Sequence, residues 1–338
     1  MMRDAVKTLF HPFDTDILTP PAAGERVLFL GAETGYTLPE GFAAEIEAVQ
    51  AFRPLYNALQ KRGVDAQPEI SGTDFDMALI LMTRHKGQNE NFVAEALSRL
   101  KPGGRVILAG SKEDGVQSLR KRLNGLGLET EHLAKYHAQA FWFTRPQDPA
   151  ALVAELRAKP GFVADKFVTA PGMFSHGEVD AGSLYLARYL PKDYRKHAAD
   201  FGAGWGYLTV ALAEMSPGIE GIDLYEADHA ALQAARKNVD HLCPKLQTRY
   251  HWLDLAREEV KARYDLIVMN PPFHEGHAAE PHLGQALIRR AAESLRAGGE
   301  LIMVANRGLP YEPVLKEAFR TSGETARNAR YKILWAKK

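Results

Sequence analysis

The 338-residue sequence has a single cysteine, Cys243, so no disulfide can form within the chain, and its thiol suits a reducing compartment. It has no apolar run near the ~20 residues that span a bilayer. The opening residues Met1, Met2, Arg3 and Asp4, soon followed by His11 and Pro12, hold no signal-peptide core. A soluble, cytoplasmic protein with no membrane partner is expected. An excess of charge of one sign is also missing, since 42 Lys and Arg balance 42 Asp and Glu. Any contact with nucleic acid must therefore come from local patches. Candidates are Arg84, Lys86, Arg120, Lys121 and Arg122 in the first half, and Arg289, Arg290, Arg296, Arg327, Arg330 and Lys332 in the second.

What is present begins with the box Asn270, Pro271, Pro272 and Phe273, reached from the apolar run Tyr264 to Met269. An Asn side-chain oxygen and the carbonyl after it can accept the two hydrogens of an exocyclic amine. The prolines fix the backbone, and Phe273 offers a face for stacking a planar ring. Methyl transfer to a nucleobase nitrogen is the expected chemistry, with Asn270, Pro271, Pro272 and Phe273 as the catalytic set.

Such transfer needs a donor site, which the segment Asp200, Phe201, Gly202, Ala203, Gly204, Trp205 and Gly206, followed by the helical run Tyr207 to Met215, can supply. Glycines at alternate positions tighten the turn and admit a ligand to the backbone, while helix N–H groups face a carboxylate. Asp200 is expected to meet the ligand's ammonium. Twenty residues past Gly206, Glu226 closes the strand expected over Ile219 to Tyr225, where an acid binds ribose hydroxyls. S-adenosylmethionine carries all of these groups. The expected donor site is Asp200, Gly202, Gly204, Gly206, Glu226, Asp254 and Asn270, with Asp254, after the strand Gln247 to Leu253, reserved for the adenine amine. His274, His277 and His282 lack ligand spacing, so no metal is expected.

The chain also repeats itself. Phe75-Asp76 before the apolar Met77 to Met82 parallels Tyr264-Asp265 before Leu266 to Met269, and Leu100-Lys101-Pro102-Gly103-Gly104 parallels Leu295-Arg296-Ala297-Gly298-Gly299. Strands alternate with helical runs such as Asn91 to Leu100, Asp228 to Val239 and Leu283 to Leu295. The expected fold is α/β, with two tandem Rossmann-like domains arising by duplication. Aligning Leu28 to Tyr36 with Ala199 to Tyr207 puts Phe29 at the place of Asp200 and Glu33 at the place of Gly204. Leu81, Met82, Thr83 and Arg84 stand in place of the box. Phe29 cannot pair with an ammonium, and Glu33 opposes a carboxylate. A catalytically silent domain over residues 1–150 is expected. A linker, with one helix from Ala150 to Ala158, covers 151–170, and a catalytic domain covers 171–338. Pro171 to Ser175 forms a loop that can fold over the donor, before Asp180, Gly182 and Ser183 open the helix Leu184 to Leu190.

On these residues the C-terminal half resembles class I methyltransferases. The whole chain is similar to the bacterial ribosomal RNA small-subunit methyltransferase C family. The resemblance runs through the linker-end motif Pro171 to Ser175, the box Asn270 to Gly276 including His274 and Glu275, and the later Val304, Ala305, Asn306, Leu309, Pro310 and Tyr311. It implies S-adenosylmethionine as donor, a guanine N2 of 16S rRNA within the 30S subunit as target, and an N-terminal domain that binds RNA or supports folding. The protein is expected to work as a monomer. A 23S rRNA guanine, a protein glutamine and a vestigial RNA-binding assembly factor stand as alternatives.

Overall fold

The structure is a computed structural model and describes residues 3–159, 161–272, 274–275, 278–279 and 281–338. Two compact units divide the chain. One is Met1–Lys159 with Ala170–Gly172, and the other is Pro160–Thr169 with Met173–Lys338. Among the described residues no helix is long and apolar enough to cross a membrane.

The first unit opens with α1 (Asp4–Asp14) and builds a sheet from β1 (Arg26–Leu30), β2 (Glu45–Val49), β3 (Ala66–Gln67), β4 (Phe75–Leu81), β5 (Leu100–Ser111), β6 (Glu131–Lys135) and β7 (Ala138–Thr144). Helices α2 (Arg53–Gln60), α3 (Lys86–Arg99), α4 (Val116–Gly125) and α5 (Ala150–Leu156) complete it. The strand order is β3-β2-β1-β4-β5-β7-β6, parallel except where β7 pairs with its neighbours.

The second unit begins with the hairpin β8 (Gly161–Val163) and β9 (Phe167–Thr169), followed by α6 (Ala181–Ala187). Its sheet uses β10 (His197–Phe201), β11 (Gly221–Glu226), β12 (Thr248–Trp252) and β13 (Tyr264–Met269). The helices between these strands are α7 (Tyr207–Met215) and α8 (His229–Leu242). A two-stranded ribbon of β14 (His274–Glu275) and β15 (Ala278–Ala279) precedes α9 (Pro281–Ser294). The sheet then closes with β16 (Leu295–Asn306), α10 (Glu312–Ala318), β17 (Thr321–Arg327) and β18 (Tyr331–Lys337). The order β12-β11-β10-β13-β16-β18-β17 repeats that of the first unit.

The repetition extends to single bonds. A register irregularity lies between Phe75 and Met77 where β4 meets β5, and another between Tyr264 and Leu266 where β13 meets β16. At each one an aspartate pairs with a cation of the next strand: Asp76 with Lys101 at 2.6 Å, and Asp265 with Arg296 at 2.6 Å. Gly103 and Gly298, with φ of +81° and +78°, make the same left-handed turn. Two seven-stranded Rossmann-like sheets in one chain are what the internal repeat predicts.

Most of residues 151–159 and 161–170, expected within a linker, lie in α5 and the β8–β9 hairpin. Helix α5 packs on α3, where Arg157 pairs with Glu95 at 2.9 Å and the Ala158 N–H donates to Asn91 Oδ1 at 2.7 Å. The β8–β9 hairpin belongs to the second unit. There Phe167 is fully buried against Trp205, and Asn238 Oδ1 accepts the Val168 N–H at 2.8 Å. Its turn residues, Ala164 and Asp165, both have positive φ and neither is glycine. The usual Asn-Gly hairpin signal is therefore missing from the sequence.

Candidate functional site

Asp254, Glu226, Asp200 and Asn270 stand in that spatial order beyond or at the carboxyl ends of four adjacent strands, β12, β11, β10 and β13. Open parallel sheets bind ligands at this edge. Backbone bonds tie three of the loops together: the Leu253 N–H donates to the Glu226 carbonyl at 2.9 Å, and the Gly202 N–H donates to the Tyr225 carbonyl at 2.9 Å.

The glycine-rich turn uses left-handed backbone at all three glycines, with φ of +74° at Gly202, +54° at Gly204 and +92° at Gly206. Gly206 is doubly constrained, because a Cβ there would sit 3.2 Å from Val239 Cγ2 and 3.3 Å from the Ala235 backbone of α8. Space is open where a Gly204 side chain would be. Trp205, within the turn, is in the core. It is 4% exposed, its ring lies 5.0 Å from that of Phe167, and its Nε1–H donates to the Phe174 carbonyl at 3.0 Å. The tryptophan thereby pins Phe174 beside the turn.

Asp200 is fully buried at the end of β10. Its Oδ2 accepts the Thr209 hydroxyl at 2.8 Å, while its Oδ1 has no hydrogen-bond partner. Burial pushes its carboxyl up to about 7, opposed by the bond from Thr209. A buried carboxylate oxygen without a donor carries a desolvation cost that a cationic ligand can offset. Glu226 latches the turn. Its Oε2 accepts the Gly204 N–H at 2.8 Å, and its Oε1 accepts those of Ala227 and Asp228 at 2.7 and 2.9 Å. Burial raises its carboxyl above the ordinary range against these three bonds. This acid thus already shapes the backbone of two loops. Asp254, 4% exposed, accepts the Ala256 N–H at 3.1 Å on Oδ1, and Arg257 lies 3.5 Å from its Oδ2.

The amide of Asn270 is held from behind. Its Nδ2 donates to Asp180 Oδ2 at 2.9 Å and to Ser183 Oγ at 2.8 Å. An ionised carboxylate can only accept, so the nitrogen must face Asp180 and the orientation of the amide is decided. Both amide hydrogens are used, and Oδ1 remains as the acceptor. Asp180 is also the N-cap of α6, accepting the Ser183 N–H at 2.8 Å. The sequence showed Asp180 and Ser183 only as a helix opening, and their hold on Asn270 was missed. Pro271 is buried and Pro272 exposed. Phe273 and Gly276 lie outside the described residues.

The first unit keeps left-handed glycines at Gly31 and Gly35, in the places of Gly202 and Gly206, but differs at Asp200, Gly204 and the box. Registers align Leu30–Ile80 with Phe201–Met269, so Leu81 takes the place of Asn270 and Met82 that of Pro271. No helix forms between β1 and β2, so the counterpart of α7 is missing. Phe29 is fully buried against Phe10 of α1. The charge of Glu33 is answered from within: Arg3 donates to Glu33 Oε1 at 2.6 Å, to Asp114 Oδ2 at 2.9 Å and to the Met82 carbonyl at 2.8 Å.

The methyltransferase small domain family model matches residues 164–335. Ribosomal RNA small subunit methyltransferase C of Escherichia coli O9:H4 (strain HS) is 30% identical over 271 residues, covering 77% of this chain and 75% of that protein. The chain belongs to the ribosomal RNA small subunit methyltransferase C family. The enzyme of that name from Vibrio parahaemolyticus serotype O3:K6 (strain RIMD 2210633) is 26% identical over 327 residues, covering 93% of this chain and 94% of that one. Among solved structures, the T. thermophilus 16S rRNA N2 G1207 methyltransferase in complex with AdoMet and guanosine matches with a TM-score of 0.79 at 25% identity. The match covers 99% of this chain and 92% of that one. Both sheets thus fall within the likeness to this family member.

Proposed function

We propose that this chain is an S-adenosylmethionine-dependent methyltransferase acting on the exocyclic N2 of a guanine in 16S rRNA. The carrying observation is Asn270, whose amide hydrogens are consumed by Asp180 and Ser183 so that Oδ1 is left to accept from an amine. Relatives named for small-subunit rRNA methylation, and a structural neighbour in complex with AdoMet and guanosine, support donor and target.

The residues fit the donor. The unpartnered Asp200 Oδ1 suits its ammonium, and the left-handed turn at Gly202, Gly204 and Gly206 leads into the N–H groups that open α7. Asp254 is the residue proposed for the adenine amine. The guanine N2 lone pair is delocalised into the ring, so the nitrogen must pyramidalise before it can attack the methyl group. Acceptance of its two hydrogens by Asn270 Oδ1 and the Pro271 carbonyl favours that geometry. Preorganised dipoles of this kind are worth on the order of 10²-fold each. As the C–S bond breaks and the N–C bond forms, the N2 proton becomes acidic and leaves without a strong base. Stacking on Phe273 would offset part of the cost of extruding the base.

The proposal extends to a 30S substrate, a cytoplasmic monomer and a first unit that binds no donor of its own, with residues 171–338 carrying catalysis. The test incubates the purified chain and labelled donor separately with 30S and 50S particles from an unmodified strain, then identifies the labelled nucleoside. N2-methylguanosine from the 30S particle is expected. Label on 50S RNA, on adenine or on protein overturns the reading.

A further inference from the structure

In the first unit, the turn between β6 and β7 consists of Tyr136 and His137, both left-handed with φ of +51° and +56°. Two-residue hairpin turns of this kind normally use Asn or Gly, and a bulky aromatic residue there is strained. Tyr136 is 42% exposed. Two lysines and a histidine surround it. Lys7 Nζ lies 5.9 Å and Lys135 Nζ 5.7 Å from the ring centre, and the His11 ring lies 5.4 Å away. Among the described residues Lys7, Lys112 and Lys135 make no ion pair, and the neighbouring Glu113 is engaged by Arg84 at 3.2 Å.

Below the turn is a cavity of about 340 Å³ lined by Lys112, Lys135, Tyr136, His137 and Gln139, among others. Gln139 is 9% exposed, and its Oε1 has no hydrogen-bond partner. The register Ser111–Ala138 places turn and cavity at the carboxyl end of β5. This is the sheet edge that carries the candidate site in the other unit.

Unpaired lysines answer phosphates, an outward aromatic ring answers an unstacked base, and a buried amide oxygen without a donor answers a base N–H. We infer that this cleft of the first unit is a binding site for single-stranded RNA. A base stacks on Tyr136, and the flanking phosphates sit on Lys7, Lys112 and Lys135. The inference rests on the proposed RNA substrate but not on the methylation chemistry.

The experiment measures binding of the full chain to an unmodified 16S rRNA transcript across a salt series, together with donor binding by calorimetry. Tyr136→Ala should weaken RNA binding about fivefold or more, since each stacked base contributes at least ~1 kcal/mol. Lys112→Glu with Lys135→Glu should weaken it further and reduce the dependence of log affinity on log salt by about 1.4, or ~0.7 per single-strand phosphate contact. Donor affinity should stay unchanged in all variants, and hydrogen exchange of β5 and β7 should match the parent, reporting that the first unit is folded. Variants that bind the transcript within twofold of the parent with the same salt slope overturn the inference, as does a parent chain that does not bind the transcript. If parent and variants differ as expected but no N2-methylguanosine is formed on 30S particles, the cleft stands and the proposed reaction fails.

Discussion

The Asp180 carboxylate holds the Asn270 amide nitrogen at 2.9 Å across 90 positions of sequence. One side chain thus caps α6 and fixes which atom of the box faces outward. The box is a positioned acceptor because a helix N-cap makes it one.

The first prediction concerns that cap. Asp180→Ala frees the amide to rotate and should lower kcat by about 10²-fold, while removal of the cap costs the fold about 1 kcal/mol. Asp180→Asn, whose own side-chain oxygen can cap and accept, should recover much of the loss. Single-turnover rates and donor calorimetry on the two variants decide it. A proportionate fall in donor affinity in Asp180→Ala would show that the residue acts on the donor pocket and not on Asn270.

Asn270→Ala removes the acceptor itself and should abolish detectable turnover with donor affinity nearly intact. Gly202 is the nearby residue of the turn, where a Cβ would lie 3.8 Å from the Asn270 carbonyl. That carbonyl is backbone, which the substitution leaves in place. Equal loss of donor binding and turnover would make Asn270 a structural residue.

Asp200 sets a pH dependence. Its carboxyl is raised from an ordinary 3.8 to about 7 by burial, so the stability it contributes to the donor-free chain is present below about pH 4 and lost as pH rises through about 7. Donor binding runs the other way, because an ammonium needs the ionised form. Affinity should rise as pH increases through about 7, approaching tenfold per unit below that point, with release of a proton. Asp228, raised to about 6, titrates nearby, so the comparison is with Asp200→Asn, which keeps an acceptor for Thr209. Calorimetry from pH 6 to 8 in two buffers measures both quantities. The same slope in parent and Asp200→Asn would remove Asp200 from the ammonium site.

Where local chemistry decides structure, the sequence was readable. The runs Tyr264 to Met269 and Tyr207 to Met215 are β13 and α7 at those bounds. The duplicated Phe75-Asp76 and Tyr264-Asp265 are the same corner of two sheets. Sequence spacing failed where the partner is distant. Asp180 and Asn270 meet only because α6 lies against the sheet, and no local periodicity encodes that. It failed again at hairpins whose left-handed residues, Ala164-Asp165 and Tyr136-His137, lack the glycine or asparagine that announces such a turn. Glu33 looked like a bare charge conflict because Arg3, its answer, lies 30 positions away.

Arg3 is the N-cap residue of α1, as Asp180 is of α6, and each reaches the box of its own sheet, Arg3 bonding the carbonyl of Met82 where the other unit has Pro271. A guanidinium thus takes the acceptor equivalent to the Pro271 carbonyl that we propose receives an amine, while pairing with Glu33 and Asp114. Arg3→Ala should leave two carboxylates facing each other and destabilise the first unit by about 1–3 kcal/mol, below the cost of breaking a wholly buried pair because the arginine is partly exposed. Glu33→Gln in the same chain should restore part of the loss. Hydrogen exchange of α1 and β1 reads this unit separately from the other. Calorimetry should give one donor per chain in the parent and in both variants, since neither restores the missing counterpart of α7. A second equivalent bound by the double variant would show that Arg3 and Glu33 alone had closed a competent site.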